Sequence, residues 1–208
     1  LLEKASNSKA ASLNTVIEHA NLINEINGAV AARDLIASFS QKYPENPDLL
    51  VLLAEAEAQC GESRNAEYAA KKALDIKPDE NSIHMLLGRI LETNGNLDQA
   101  AHHYSQAVSL EPKSIDGYLK LSLVYINQRE FAQARKVLEQ GISKIPGNVN
   151  LYLSCAALLK ESKDYHGAEQ MLRKASQIDP RNVIIHRQLG AILALNMVHQ
   201  SQEVGSQV

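Results

Sequence analysis

Along most of the chain, small and apolar residues recur at helical spacing, in columns that repeat every 34 residues. One column holds Leu53, Leu87, Leu121, Cys155 and Leu189, and beside it run Ala54, Gly88, Ser122, Ala156 and Gly190. Later in each period come Ala66, Ala100, Ala134 and Ala168, then Ala70, Tyr104, Leu138 and Leu172, then Ala73, Ala107, Gly141 and Ala175. Pro44, Pro78, Pro112, Pro146 and Pro180 keep the same 34-residue interval. Proline cannot continue a helix, so each one closes a period and turns the chain into the next. Gly61 and Gly95 fall where the chain must reverse within a period, and each can take positive φ. The pattern predicts two helices per period. They approach closely because a Gly, Ala or Ser beside the leucine of the first helix faces an alanine early in the second.

Together these columns resemble the tetratricopeptide repeat, whose 34-residue pattern runs aromatic, Leu-Gly, Tyr, Ala, Phe, Ala, Pro. Tyr118, Tyr152, His84 and His186 take the aromatic column and read as structural rings. The resemblance covers roughly residues 13–197 and implies an all-α fold, a right-handed α-solenoid of about five repeats plus a C-terminal capping helix. The expected repeats are 13–46, 47–80, 81–114, 115–148 and 149–182. The first is the most divergent, with His19 in the leucine column and Asn27-Gly28 near its turn. Residues 1–12 read as the end of a preceding repeat helix, which makes the chain a fragment of a longer array, because Leu1 to Ala5 are in phase with the end of a second helix. Residues 183–197 read as the cap and 198–208 as a flexible polar tail. A pentatricopeptide array, which reads RNA, is disfavoured by the strict period and the acidic balance, and a coiled coil is forbidden by the regular prolines.

Composition narrows the function. The 208 residues carry a net charge of −3 and no long basic cluster, so neither nucleic acid nor an anionic membrane surface is an expected partner. With 4% aromatics and no tryptophan, a large aromatic ligand pocket is not expected. No apolar run approaches the length of a membrane span. Cys60 and Cys155 fall three repeats apart and read as free thiols. They agree with a cytoplasmic location, with a periplasmic or envelope-associated one as the alternative.

Chemistry is sparse. His102 and His103 are adjacent, so on a helix they point about 100° apart and do not share one ion; they read as a solvated surface. His84 and His186 sit in packing columns, and Asp164-Tyr165-His166 lacks a matching nucleophile. No catalytic residue, cofactor site or metal site is expected.

In the resembled family the first helix of each repeat lines a concave groove where partners dock. Just after the aromatic column, the groove column here reads Val51, Met85, Leu119, Leu153 and Arg187. One turn on it reads Glu55, Arg89, Leu123, Ala157 and Ala191, followed by Glu92, Ile126, Lys160 and Ala194. The apolar middle, rimmed by Arg89, Glu92, Asn127, Lys160 and Arg187, suits an amphipathic helix or an extended peptide with aliphatic anchors. The competing reading is that Leu119, Leu123 and Leu153 simply pack neighbouring helices. The Lys, Asn and Arg columns by which one subset of the family grips C-terminal carboxylates mostly fail here: Asn21 fits, but Ile17, Val51, Glu55, Ser82 and Leu86 stand in the others, which argues against that use. The expected function is a non-catalytic protein-interaction scaffold in an assembly, secretion or regulatory complex. The alternative is a regulatory or substrate-recruiting segment of a larger enzyme, such as a glycosyltransferase or kinase. Self-association through an unpaired end is a further possibility.

Overall fold

The computed structural model describes residues 13–205, with side chains over 14–198. The expected helix end at residues 1–12 and the last three residues lie outside this range. Among the described residues the chain is all-α, a succession of helix pairs closed by one long helix, and it divides into two compact units on either side of Leu110 and Glu111.

The first unit holds α1 (Leu13–Asn27), α2 (Ala29–Lys42), α3 (Pro47–Gln59), α4 (Ser63–Ile76), α5 (Asn81–Thr93) and α6 (Leu97–Leu110). The second holds α7 (Ile115–Asn127), α8 (Phe131–Lys144), α9 (Val149–Glu161), α10 (Tyr165–Ile178) and α11 (Val183–Gly205). Helix α11 therefore continues through residues expected as a polar tail. Neither proline nor glycine interrupts 198–204 to stop it.

Most pairs begin and turn in the same way. Side chains in one column cap α3, α7, α9 and α11, whereas Glu80 before α5 makes no such bond. Asn46 accepts from the Asp48 and Leu49 amides, Ser114 from Gly117, Asn148 from Leu151, and Asn182 from Ile184 and Ile185. At the turns inside pairs the amides of Glu62, Asn96, Glu130 and Asp164 reach back to the carbonyls of Glu57, Leu91, Tyr125 and Leu159 at 2.8 to 2.9 Å. This is the Schellman closure, and it needs a left-handed residue just before each donor.

Gly61 and Gly95 supply that conformation, with φ of 80° and 78°. In the second unit Arg129 and Lys163 adopt it instead, with φ of 61° and 63°. A side chain with a Cβ is disfavoured there. Arg129→Gly and Lys163→Gly are each expected to raise the unfolding free energy by about 1 kcal/mol, read from the midpoint of a denaturant titration.

Three rings of the aromatic column act as ties. His84 Nε2 reaches the Pro78 carbonyl at 3.1 Å, Tyr118 hydroxyl the Pro112 carbonyl at 3.3 Å, and His186 Nε2 the Pro180 carbonyl at 2.7 Å. A carbonyl only accepts, so each ring donates and fastens its first helix to the preceding proline turn. His84 is buried as expected for this column, whereas His186, on the terminal helix, is exposed.

Inside the pairs, side-chain sizes compensate. Tyr104 is fully buried, and a Cβ on Gly88 would lie 2.5 Å from its Cε1. The equivalent positions hold Ser122 with Leu138 and Ala156 with Leu172, a larger partner for each smaller ring substitute. A Cβ on Gly141 would lie 2.9 Å from Tyr118 Cγ, which explains a glycine where the second, third and fifth pairs have alanine.

Candidate functional site

The first helices are neighbours within each unit: α3 contacts α5, and α7 contacts α9. In the first unit this face carries a hollow of about 320 Å³ lined by Ile17, Val51, Leu52, Glu55 and Ile83, with the Asp48–Lys77 ion pair (2.9 Å) also on its wall. The structure thus brings the expected Val51 and Glu55 together and adds Ile17, Leu52 and Ile83. Ile17 lies in the same column as Val51, one period earlier, and that register was the signal for it. Met85, Arg89 and Glu92 do not line this hollow. Met85 is half-buried and Arg89 exposed. Glu92 Oε2 accepts the Tyr104 hydroxyl at 2.9 Å, so its carboxylate serves the packing of α5 on α6.

In the second unit, Leu119 is half-buried and Leu123 is 42% exposed one turn further along α7, with Asn127 exposed at its end. Leu153 packs against the buried cluster of Tyr152, Ala175 and Ile185, so part of its surface belongs to the core. Lys160 borders a small hollow of about 110 Å³ with Ala157, Leu172, Gln188, Ala191 and Ile192. Arg187 is exposed on α11 outside that hollow.

Several titratable groups away from this face make contacts inside the helix pairs. His103 does not lie on a solvated surface as expected. It is partly buried, and its Nδ1 lies 3.0 Å from His84 Nδ1. With His84 Nε2 donating to the Pro78 carbonyl, its Nδ1 is left to accept and His103 Nδ1 donates. Burial first, then His84, His102 and Lys71, push the His103 pKa down to about 4 against a smaller pull from Glu67.

The folded state therefore binds its proton more weakly than the unfolded chain. His103 contributes stability that is complete above about pH 6.5 and is lost as the pH falls towards 4. Discounted for a partly exposed ring, the loss is about 1–2 kcal/mol. His103→Val, matching Val137 one period on, is expected to remove this acid limb from a plot of melting temperature against pH.

Asp164 caps α10 through the Gly167 amide (2.8 Å) and lies 3.7 Å from Arg135. The Cys155 thiol is buried, and desolvation raises its pKa to about 11; Cys60 is partly exposed, and both are free. Among the described residues no group of three or more His, Cys, Asp or Glu side chains is placed to hold a metal ion, and no helix is long and apolar enough to cross a membrane.

The tetratricopeptide repeat profile matches residues 91–159, and a second profile of the same repeat matches residues 61–116. No curated protein matches the sequence significantly. Among solved structures the chain is similar to MamA, at 20% identity and a TM-score of 0.68, over 78% of this chain and 95% of that one. It is also similar to YrrB, described as a tetratricopeptide protein with an unusual peptide-binding site, at 16% identity and 0.65, over 90% and 96%. A tetratricopeptide repeat protein from Parabacteroides merdae aligns at 17% identity and 0.70, over 92% and 76%. At these identities the likeness is one of fold. The two profile matches, which together span residues 61–159, and the register of the packing columns identify tetratricopeptide repeats in this chain.

Proposed function

We propose that the chain is a non-catalytic protein-interaction scaffold that holds a partner's peptide or amphipathic helix on the face of its first helices, within an assembly, secretion or regulatory complex. The observation that carries this reading is Leu123, an aliphatic side chain left 42% exposed one turn beyond half-buried Leu119 on that face of α7. In the first unit the hollow around Val51 and Glu55 supplies a concave surface where Ile17, Val51 and Ile83 stand beside the acids Asp48, Glu55 and Glu80. Exposed aliphatic residues at helical spacing are what a partner helix or extended segment buries. A peptide-binding role described for YrrB agrees with it.

The test is affinity capture with the wild-type chain beside Leu119→Glu plus Leu123→Glu, both checked by circular dichroism. Leu123 is preferred to Leu153, which also packs the core. A partner retained by the wild type and lost by the folded variant is the expected result. Equal capture by both would overturn this placement.

A further inference from the structure

The opposite side of the first unit holds a larger cleft, about 380 Å³, between α2 and α4 and floored by α3. Pro44, Leu50, Leu53, Tyr68 and Ala69 form its apolar walls. The repeat columns explain why it is open here. The ring that ties first helices to their proline turns is replaced by Leu50, which has no polar atom to offer Pro44. The facing position on the second helix is Ala69, where the later pairs carry His103, Val137 and Met171. In the next pair His84 and His103 meet across this space. Leu50 does not reach the proline turn and Ala69 is the shortest of these facing residues, so the volume is left unfilled.

Glu57 also lines the cleft. It is 9% exposed, and its Oε2 is buried with no hydrogen-bond partner. Its column is otherwise apolar: Ile23, Leu91, Tyr125, Leu159 and Leu193. Burial is the main cause that raises its pKa, with Glu62 adding to the rise and Arg33 opposing both. Arg33 is itself committed to Asp34 at 2.7 Å and lies 3.9 Å from Glu62, so it does not satisfy Glu57. A buried carboxylate oxygen without a donor is costly to a fold and cheap to relieve from outside.

We propose that this cleft is a second docking site, which receives a lysine or arginine side chain of a partner protein: the aliphatic stem lies against Leu50, Leu53 and Ala69, and the cationic head donates to Glu57. Charge complementarity selects this occupant. A carboxylate repels phosphate and carboxylate ligands, and one carboxylate does not make a metal site. The apolar walls match a methylene stem, which snorkelling cations bury readily. The terminal torsion of a glutamate is soft, so Oε2 turns towards a donor at little cost. Tyr68, 64% exposed at the edge of the cleft, already carries Lys72 Nζ 5.4 Å from its ring centroid. Lys72 also lines the cleft, but it is exposed at the rim and therefore screened by water from a cation bound at the buried acid.

The test is selection of displayed random peptides on the 208-residue chain, followed by anisotropy titrations of the recovered sequences. The expected peptides share one lysine or arginine beside apolar residues. Replacing that residue by norleucine, which keeps the stem and removes the charge, should weaken binding to the wild type about tenfold. The same replacement should change little against Glu57→Gln. Ala69→Met, which installs the residue found at Met171, should abolish binding while leaving Glu57 in place, and it serves as the second variant if Glu57→Gln is unstable. Leu123→Glu should have no effect, which separates this site from the first-helix face. Recovery of no peptide, of peptides without a shared basic residue, or of peptides whose norleucine versions lose equally on wild type and Glu57→Gln would overturn the proposal.

Discussion

Gly88→Ala should destabilise the first unit by about 2–3 kcal/mol, in the opposite direction to the usual effect of that substitution in a helix interior. Alanine normally gains up to about 1 kcal/mol over glycine there. Here the added Cβ would stand 2.5 Å from Tyr104 Cε1 and 2.6 Å from Cδ1. The ring does not simply swing aside: it is fully buried, and its hydroxyl is held by Glu92 at 2.9 Å. Either α5 moves away from α6 or the ring leaves its rotamer, and both lose packing along the whole contact. Denaturant unfolding measures the change. The origin of the loss is tested by combining Gly88→Ser with Tyr104→Leu, which reproduces the Ser122 and Leu138 pairing of the fourth helix pair. The double variant should recover most of the loss, with a coupling of about 1–3 kcal/mol. A Gly88→Ala protein as stable as the wild type would show that the two helices are not locked by this ring.

Glu57→Leu should stabilise the chain by about 1–3 kcal/mol, because it removes a buried carboxylate oxygen that has no partner and installs the residue carried by the same column at Leu91. A second signature follows from the raised pKa of Glu57. The folded state holds the proton more tightly than the unfolded chain, so this group favours folding at low pH. That advantage is lost as the pH rises from about 4.5 through the raised folded value. His103 works the other way, adding stability between about pH 4 and 6.5. The two slopes oppose each other in the wild type. His103→Val should expose the Glu57 decline, and adding Glu57→Leu should flatten the profile. Thermal melts across pH 4 to 8 separate them. If Glu57→Leu lowers the melting temperature at neutral pH, the carboxylate is satisfied in solution and the strain assigned to it is absent.

Much of the fold was legible because a repeat writes each packing decision several times. Proline spacing and the alanine and leucine columns place the helix pairs, and Gly61 and Gly95 mark two of the reversals. The same reversal at Arg129 and Lys163 carries no composition signal, because there the Schellman hydrogen bonds impose positive φ on side chains that do not favour it. The contact between His84 and His103 was hidden for a related reason. It joins two columns across a helix pair, while the reading along one helix saw only that His102 and His103 diverge. The face of the first helices was legible as columns, but their use was not: Glu92 and Leu153 share spacing with exposed residues and spend their surface on Tyr104 and the Tyr152 cluster. Glu57 did leave a sequence signal, a single acid in an otherwise apolar column. It stands outside the columns expected to face a partner, and burial alone turns that irregularity into chemistry.

Among the described residues, the main helix contacts within a unit join helices one or two places apart along the chain. The modular quantum of such a molecule is therefore the 34-residue pair, and pairs can be duplicated or deleted without redesigning distant contacts. Modularity of this kind uncouples addresses from architecture. The second pair can exchange a ring for Leu50 and a leucine for Glu57 and become chemically distinct from its siblings, while the frame that holds it stays common to all of them.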